Sequence, residues 1–210
     1  MKSLRLALAS LGMVSLCFSA DPPAGAEQVI DDNFERKDLG KGWAVQTGSW
    51  AIRDGVLHGS EIPADKHSAA ARRVIETEDA TYQLRFRMRE GAKSFHFGFD
   101  PKRGTLDKKG HLFSVIINPD GWRILKHIDK AKPKEDPNEI LAKATHTFQT
   151  GEWYSLRVTT QSTAVKAVIE GLEPLSANHP SFGVPKPTLV FRVIGDGVDI
   201  DDLRVWSAKQ

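Results

Sequence analysis

Eight polar side chains have the residue types that bind sugars or transfer protons. They lie in segments where polar and apolar residues alternate, and they occupy the polar positions: Arg85, Arg87, His96, Asp100, His111, Arg123, His127 and Arg192. If these segments are neighbouring strands, the alternation places the side chains on one outward sheet face. Arginine, histidine and aspartate supply the directional hydrogen bonds that orient a ligand.

Two tryptophans accompany this set. Trp122 follows a turn, and Trp153 begins a strand-like segment. An exposed aromatic ring stacks on the apolar face of a pyranose, while neighbouring polar groups bind its hydroxyls. We therefore predict a ligand-binding surface for a glycan or small saccharide, made of Arg85, Arg87, Trp122, His127, Trp153 and Arg192. In the alternative interpretation the arginines form cross-strand ion pairs or are merely solvated, and Trp122 caps the core.

The same face offers groups for proton transfer. His96, Asp100 and His111 are the candidate catalytic residues, because imidazole and carboxylate groups act as acids and bases. The sequence has no His-x-His or His-Glu-x-x-His spacing for a metal and no Gly-x-Ser-x-Gly elbow. We expect the protein to require no cofactor. The sequence leaves open whether the protein is an enzyme.

Carboxylates near both ends of the chain suggest a structural calcium ion. The candidate ligands are Asp31, Asp32, Asp199 and Asp201. Calcium takes about six to eight oxygen ligands. If the terminal strands pair, these carboxylates can approach one another; otherwise they are solvated surface groups.

Alternation with a period of two dominates the chain. The expected strands cover residues 43–45, 50–57, 82–88, 95–99, 112–117, 122–128, 153–160, 164–169, 188–194 and 198–206. Residues 118–121 and the Asp54-Gly55 pair have turn chemistry. The parity of the last strand changes near Asp201-Asp202, which predicts a β-bulge.

Two segments lack this alternation. Residues 129–137 are charged and contain proline, which predicts a surface loop, and residues 135–144 leave room for a turn or two of helix. Ten or more short strands without alternating helices predict an all-β fold, a two-sheet antiparallel sandwich.

The first 26 residues have the features of a signal peptide. A start with two basic residues leads into an uncharged apolar run at residues 6–18, and small residues allow cleavage after Ala20 or after Ala26. The run is too short to span a bilayer comfortably. We predict a secreted or periplasmic protein, with one domain at residues 27–210 and no membrane span after cleavage.

Composition excludes several kinds of partner and chemistry. Cys17, the only cysteine, lies within the signal segment, so the mature chain has no disulfide and no thiolate for zinc or for catalysis. The net charge of +2 becomes +1 when residues 1–26 are removed. This balance gives no general electrostatic reason to bind nucleic acid or an anionic membrane.

Motifs in chain order resemble one group of jelly rolls. They are Asp32-Asn33-Phe34, Gly42-Trp43-Ala44-Val45, Gly48-Ser49-Trp50, Asp54-Gly55-Val56-Leu57-His58-Gly59, residues 82–87, Gly151-Glu152-Trp153-Tyr154 and residues 198–205. Together they resemble concanavalin A-like jelly rolls, especially the domain of unknown function 1080 group, the 3-keto-disaccharide hydrolase domains. The resemblance implies a jelly-roll fold and glycoside hydrolysis. The chain departs from that group at residues 92–94, at Glu170-Gly171 and at Tyr154.

Three functions are compatible with these patterns. The first is recognition of carbohydrate on a polar sheet face flanked by aromatic residues, and the second is hydrolysis of the 3-keto-disaccharide type. The third is a structural or interaction role in the cell envelope. A retaining glucanase mechanism is not favoured, because the sequence has no Glu-x-Asp-x-x-Glu strand that would place paired carboxylates on one face.

Overall fold

A computed structural model describes residues 24–208. Within this range the chain forms strands and two short 3-10 turns, at Pro63–Asp65 and Pro180–Phe182. None of the described residues belongs to a helix long and apolar enough to cross a membrane. All but the last three residues of the expected signal peptide lie outside the described residues.

The described strands are β1 (Ala26–Asp32), β2 (Trp43–Thr47), β3 (Ser49–Arg53), β4 (Val56–Ser60), β5 (Ala69–Thr77), β6 (Ala80–Met88), β7 (Ala92–Asp100), β8 (Phe113–Asn118), β9 (Gly121–Lys126), β10 (Glu139–Thr145), β11 (Trp153–Gln161), β12 (Ala164–Ile169), β13 (Leu175–Asn178), β14 (Lys186–Gly195) and β15 (Val198–Ala208).

The strands form two antiparallel sheets. Sheet A has the order β13-β12-β11-β6-β15-β4-β3, with β1 also paired to β15, and sheet B has the order β10-β9-β8-β7-β14-β5-β2. The central pairs β6–β15 and β7–β14 are both antiparallel. The predicted all-β, two-sheet antiparallel sandwich is confirmed.

The core lies between the sheets and is rich in aromatic rings. Phe86 of β6 in sheet A lies 5.7 Å from Phe95 of β7 in sheet B, measured between ring centroids, and Tyr82 lies 4.8 Å from Phe99. All four side chains are buried. Because side chains alternate along a strand, the residues between them point away from the core, onto two opposite outer faces.

Two turns that contain glycine connect the first strands, β2 to β3 and β3 to β4. Asp54 (φ 50°) and Gly55 (φ 74°) join β3 to β4, as in the hairpin turns whose two central residues both have positive φ. Gly48 (φ 75°) lies where the chain passes from β2 in sheet B to β3 in sheet A. A Cβ at Gly48 would lie 2.3 Å from the Cβ of Ala69, so only glycine fits there.

The expected bulge in the last strand is present. The pairing of β15 with β6 shifts register between Asp201 and Arg204, and Asp202 has φ 51°. The shift allows Ile200 before it and Leu203 after it both to be buried. The terminal strands pair as well, because β1 runs antiparallel to β15.

The expectation of a helical turn or two within residues 135–144 is wrong. Residues Glu139–Thr145 form β10, an edge strand of sheet B, paired with β9. The pairing shifts register between Ile140 and Ala142, and none of the β10 side chains is fully buried. An edge strand with a bulge has no clean two-residue alternation, which is why its sequence did not indicate a strand.

Candidate functional site

The polar residues that were expected to share one face lie on two opposite faces. The group that includes Arg85, Arg87 and Trp153 is on the outer face of sheet A, because β6 and β11 pair there. His96 and Asp100 are on β7 in sheet B. The His96 position pairs with Arg192 of β14 and the Asp100 position with Thr188. The single surface therefore becomes two candidate surfaces.

Trp122 belongs to neither surface. It is 2% exposed and packs within the hydrophobic core, as does Ile124 on the same side of β9. Its predicted role as a stacking platform is wrong, because the first residue after the turn already faces inward. Arg123, the next residue, points outward and donates to the side-chain oxygen of Asn118 at 2.7 Å.

The four carboxylates considered for calcium do not converge. Each is paired with a cation instead: Asp31 with Arg204, Asp32 with Arg36, Asp199 with Arg87 and Asp201 with Arg85. No cluster of three or more potential metal-ligating side chains occurs within residues 24–208. Although the terminal strands pair as expected, Asp31 lies opposite Arg204 rather than opposite a carboxylate.

The outer face of sheet B carries a cleft made of two cavities. Their volumes are about 640 Å³ and 270 Å³, and both are lined by Arg72, His111 and Lys130. The floor comes from β5, β7 and β14, and the wall comes from residues 101–111, which follow β7. We call this the sheet B cleft. A rigid floor with a loop wall is the usual construction of a binding site.

Asp100 and His111 meet in the sheet B cleft. The Nδ1 atom of His111 lies 2.5 Å from one carboxylate oxygen of Asp100, and Nε of Arg72 donates to the other oxygen at 3.1 Å. Burial alone would raise the pKa of Asp100, but the hydrogen bond and charge of His111 and the guanidinium of Arg72 hold it below its usual value. Asp100 is therefore an ionised group that orients the His111 ring.

Two further histidines belong to sheet B and the loop that follows β9. His127 Nε2 lies 2.7 Å from the hydroxyl oxygen of Ser114, and its ring centroid lies 5.3 Å from that of His111. His96 is largely buried, and its Nδ1 has no hydrogen-bond partner. Burial, followed by neighbouring positive charge from groups that include Arg192, lowers the pKa of both His96 and His127 to about 3. Both rings are neutral at neutral pH.

Arg192 is the half-buried cation of the face. Its Nη2 donates to the hydroxyl of Ser68 at 2.8 Å, and Nε lies 3.3 Å from the same oxygen. No salt bridge to a carboxylate forms within the described part of the chain. Burial, and then the charge of Arg72, lower the pKa of Arg192. The group is desolvated without an opposite charge to compensate it.

Two acidic residues hold the wall of the cleft in place. Asp136 accepts hydrogen bonds from the ammonium groups of Lys108 (2.9 Å) and Lys126. Asp129, 2% exposed, accepts the backbone N–H of Lys109 at 3.0 Å and that of Ala131 at 2.8 Å. The charged segment at residues 129–137 was expected at the surface, and most of it is exposed. Its aspartates tie it to the loop after β7.

The outer face of sheet A carries a separate depression in which the cations are already paired. A depression of about 480 Å³ includes Trp153, with the guanidinium carbons of Arg85 and Arg87 lying 4.8 Å and 4.6 Å from its ring centroid. Buried Asp199 accepts hydrogen bonds from Arg87 at 2.5 Å and 2.9 Å, and lies 2.9 Å from His58 Nδ1. The cations here are already engaged with the ring and with carboxylates.

Sequence reasoning missed Arg72, Ser68 and Lys130. Arg72 lies in β5, whose run of three alanines and two arginines shows no alternation. The pairing of β5 with β14 also contains a register shift, between Lys186 and Thr188, which a simple alternation would not predict. Lys130 lies in a loop, where no periodicity tells which way a side chain points.

No protein-family model matches the chain, and no curated protein matches it. Solved structures do resemble it. They include a non-specific endo-β-1,3(4)-glucanase of family GH16 (12% identity, 90% of this chain and 94% of that chain, TM-score 0.67) and the laminarinase of Rhodothermus marinus (12%, 88% and 98%, 0.67). The carbohydrate-binding module CBM66 of Bacillus subtilis also resembles it (13%, 79% and 92%, 0.54). At these identities the likeness concerns the fold alone, and it identifies a concanavalin A-like jelly roll.

Proposed function

We propose that the protein is an exported carbohydrate-binding jelly roll that takes its saccharide in the sheet B cleft. The observation that carries the proposal is the group formed by Asp100, His111 and Arg72 where the two cavities of the cleft adjoin. Ligand sites commonly enclose about 300–1,000 Å³ and contain a few fixed polar groups. The larger cavity, at about 640 Å³, falls in that range.

The similar structures support a saccharide as the ligand. Two of them are named as glucan-degrading enzymes and one as a carbohydrate-binding module, and all share the sandwich that builds the cleft. A fold hosts several functions, so the argument rests on the cleft and only secondarily on the likeness.

Binding of saccharides to the mature protein tests this proposal. A glycan array followed by titration calorimetry should identify a ligand whose affinity is lost in Arg72→Ala. The matched control is Trp153→Ala, which removes the aromatic ring of the opposite face and should leave the affinity unchanged. Loss of binding in Trp153→Ala with binding retained in Arg72→Ala would transfer the site to sheet A.

Glycoside hydrolysis of the 3-keto-disaccharide type is the second candidate function. It is favoured by the His111–Asp100 pair, because a carboxylate that holds Nδ1 orients the ring and leaves Nε2 for a substrate proton. His96, the other predicted base, is a neutral buried ring. Breakdown of a 3-keto-glucoside that is lost in His111→Gln, with saccharide binding retained, would establish the enzyme.

A further inference from the structure

Arg192 is a charged group that has no counter-ion among residues 24–208. It lies on β14, and within residues 24–208 its guanidinium donates hydrogen bonds to the neutral hydroxyl of Ser68 alone. Leaving a guanidinium partly desolvated without an anion costs free energy. Arg72 lies diagonally across the β5–β14 pair, because its position is opposite Val190, two residues before Arg192. Like charge therefore faces like charge along the floor of the sheet B cleft.

The lining of the cleft has a strong excess of positive charge. Among the described residues, its two cavities are lined by seven basic side chains and by one carboxylate, that of Asp100. The basic residues are Arg72, Lys102, Arg103, Lys108, Lys109, Lys130 and Arg192. Arg72 is paired with Asp100, and Lys108 with Asp136. The chain as a whole has a net charge of only +2, so this excess is local.

The depression on sheet A provides the contrast. It combines four arginines with Asp54, Asp199 and Asp201, so its charges nearly balance. It also includes Trp153, whereas no tryptophan, tyrosine or phenylalanine is among the described residues that line the sheet B cleft. A neutral pyranose gains much of its affinity from stacking on an aromatic ring, and the sheet B cleft offers it cations instead.

We infer that the sheet B cleft binds an anionic saccharide, whose carboxylate or sulfate group lies against Arg192 and Lys130. The inference rests on the proposed function and adds the class of sugar. A planar guanidinium matches the two oxygens of a carboxylate or sulfate, and the charge is compensated where water is scarce. His111, which lines both cavities and whose ring is oriented by Asp100, remains available for the sugar hydroxyls.

The test compares ligands that differ in charge alone. Calorimetry with short oligogalacturonates, their carboxyl-reduced forms and sulfated glucan oligosaccharides measures binding to the mature protein. We expect at least one acidic ligand to bind about tenfold or more tightly than its neutral counterpart. Affinity for it should fall as salt is raised, because the ion pairs are screened. Comparison of the oligogalacturonates with the sulfated oligosaccharides shows whether the cleft binds a carboxylate or a sulfate group.

Three variants test where in the cleft the acidic group of the ligand binds. Arg192→Gln should weaken the acidic ligand by about 30-fold, the consequence of truncating one partner of a desolvated charge pair. Lys130→Gln, at an exposed loop position, should weaken it by a smaller factor without risk to folding. The matched control Lys166→Gln removes an exposed lysine from β12 in sheet A and should change nothing.

The outcomes separate this inference from the proposed function. Equal affinity for every acidic ligand and its neutral counterpart, or no effect of Arg192→Gln and Lys130→Gln, would overturn the inference and leave carbohydrate binding intact. Absence of binding to every saccharide, in protein shown to be folded by its thermal transition, would overturn the proposed function and the inference with it. Binding of the sulfated ligand alone, weakened by Arg192→Gln, supports the inference and identifies the ester.

Discussion

His111 Nδ1 and Asp100 Oδ1 lie 2.5 Å apart, and the other oxygen of Asp100 accepts a hydrogen bond from Arg72 at 3.1 Å. The carboxylate thus fixes the histidine ring and at the same time offsets part of the positive charge of the sheet B cleft. These two effects have opposite consequences for an anionic ligand and for proton transfer. Substitution of this one residue separates them.

We expect Asp100→Asn to tighten binding of an acidic saccharide by about threefold, because it removes the only negative charge among the described side chains that line the cleft. Hydrolysis, if the protein has it, should fall sharply, because His111 loses the anion that orients it. Titration calorimetry and a 3-keto-glucoside assay on the same preparation measure both. Weaker binding of the acidic ligand would show that Asp100 contacts the sugar itself.

Much of the fold was visible in the sequence because sandwich strands with one buried face alternate strictly. Residues 82–88 and 95–99 showed this pattern and lie within β6 and β7 at the centres of the two sheets. The β5 strand was missed, because its alanine run has no contrast between faces. The β10 strand was mistaken for possible helix, since its edge position and bulge remove the alternation.

The residues of the candidate site were predicted better than their arrangement. Asp100 and His111 do meet, and His96 lies on the same strand as Asp100, but Arg85 and Arg87 lie on the opposite side of the molecule. Alternation distinguishes the two faces of one strand, but it does not say which strands share a sheet. That assignment depends on long-range pairing, such as that of β7 with β14 and of β6 with β15, which no local pattern contains.

The two neutral histidines should make folding sensitive to mild acid. The pKa of His96 and of His127 is about 3 in the folded protein and about 6.5 when unfolded, so the unfolded state binds more protons between these values. The free energy of unfolding should therefore fall as pH decreases from 6.5 towards 3, by up to about 1.4 kcal/mol per pH unit for each histidine. Urea unfolding at several pH values measures this slope.

His96→Asn provides the control for that slope. Removing one titrating ring should reduce the dependence on pH between about 6.5 and 4.5, whatever it does to stability at neutral pH. Asp100 and Asp199 do not interfere in this window. Their pKa values are lowered, so their contribution is present above the unfolded value of 3.8 and is lost only as pH falls below it. An unchanged slope in His96→Asn would show that this ring is protonated in the fold.

The ion pair of Arg87 and Asp199 should respond unequally to loss of either partner. The Asp199 side chain is 1% exposed and that of Arg87 is 30% exposed. We expect Arg87→Met to cost about 2 kcal/mol, because it leaves a buried carboxylate with weaker compensation. Asp199→Asn should cost less, since the freed guanidinium can reach water. Urea unfolding of both variants measures the difference, and a larger loss in Asp199→Asn would contradict this account.

Alanine substitutions at two glycines with positive φ distinguish the cost of backbone strain from the cost of a steric clash. Gly48 and Gly151 have φ values of 75° and 85°, so an alanine at either position is strained by about 1 kcal/mol. At Gly151 no atom lies within 4 Å of an added Cβ, whereas at Gly48 the new atom would lie 2.3 Å from Ala69 Cβ and 2.7 Å from Ser60 O. Gly48→Ala should therefore lower the unfolding free energy by at least about 2 kcal/mol more than Gly151→Ala. Thermal unfolding of the two variants compares them, and equal losses would mean that the crossing from β2 to β3 is free to widen.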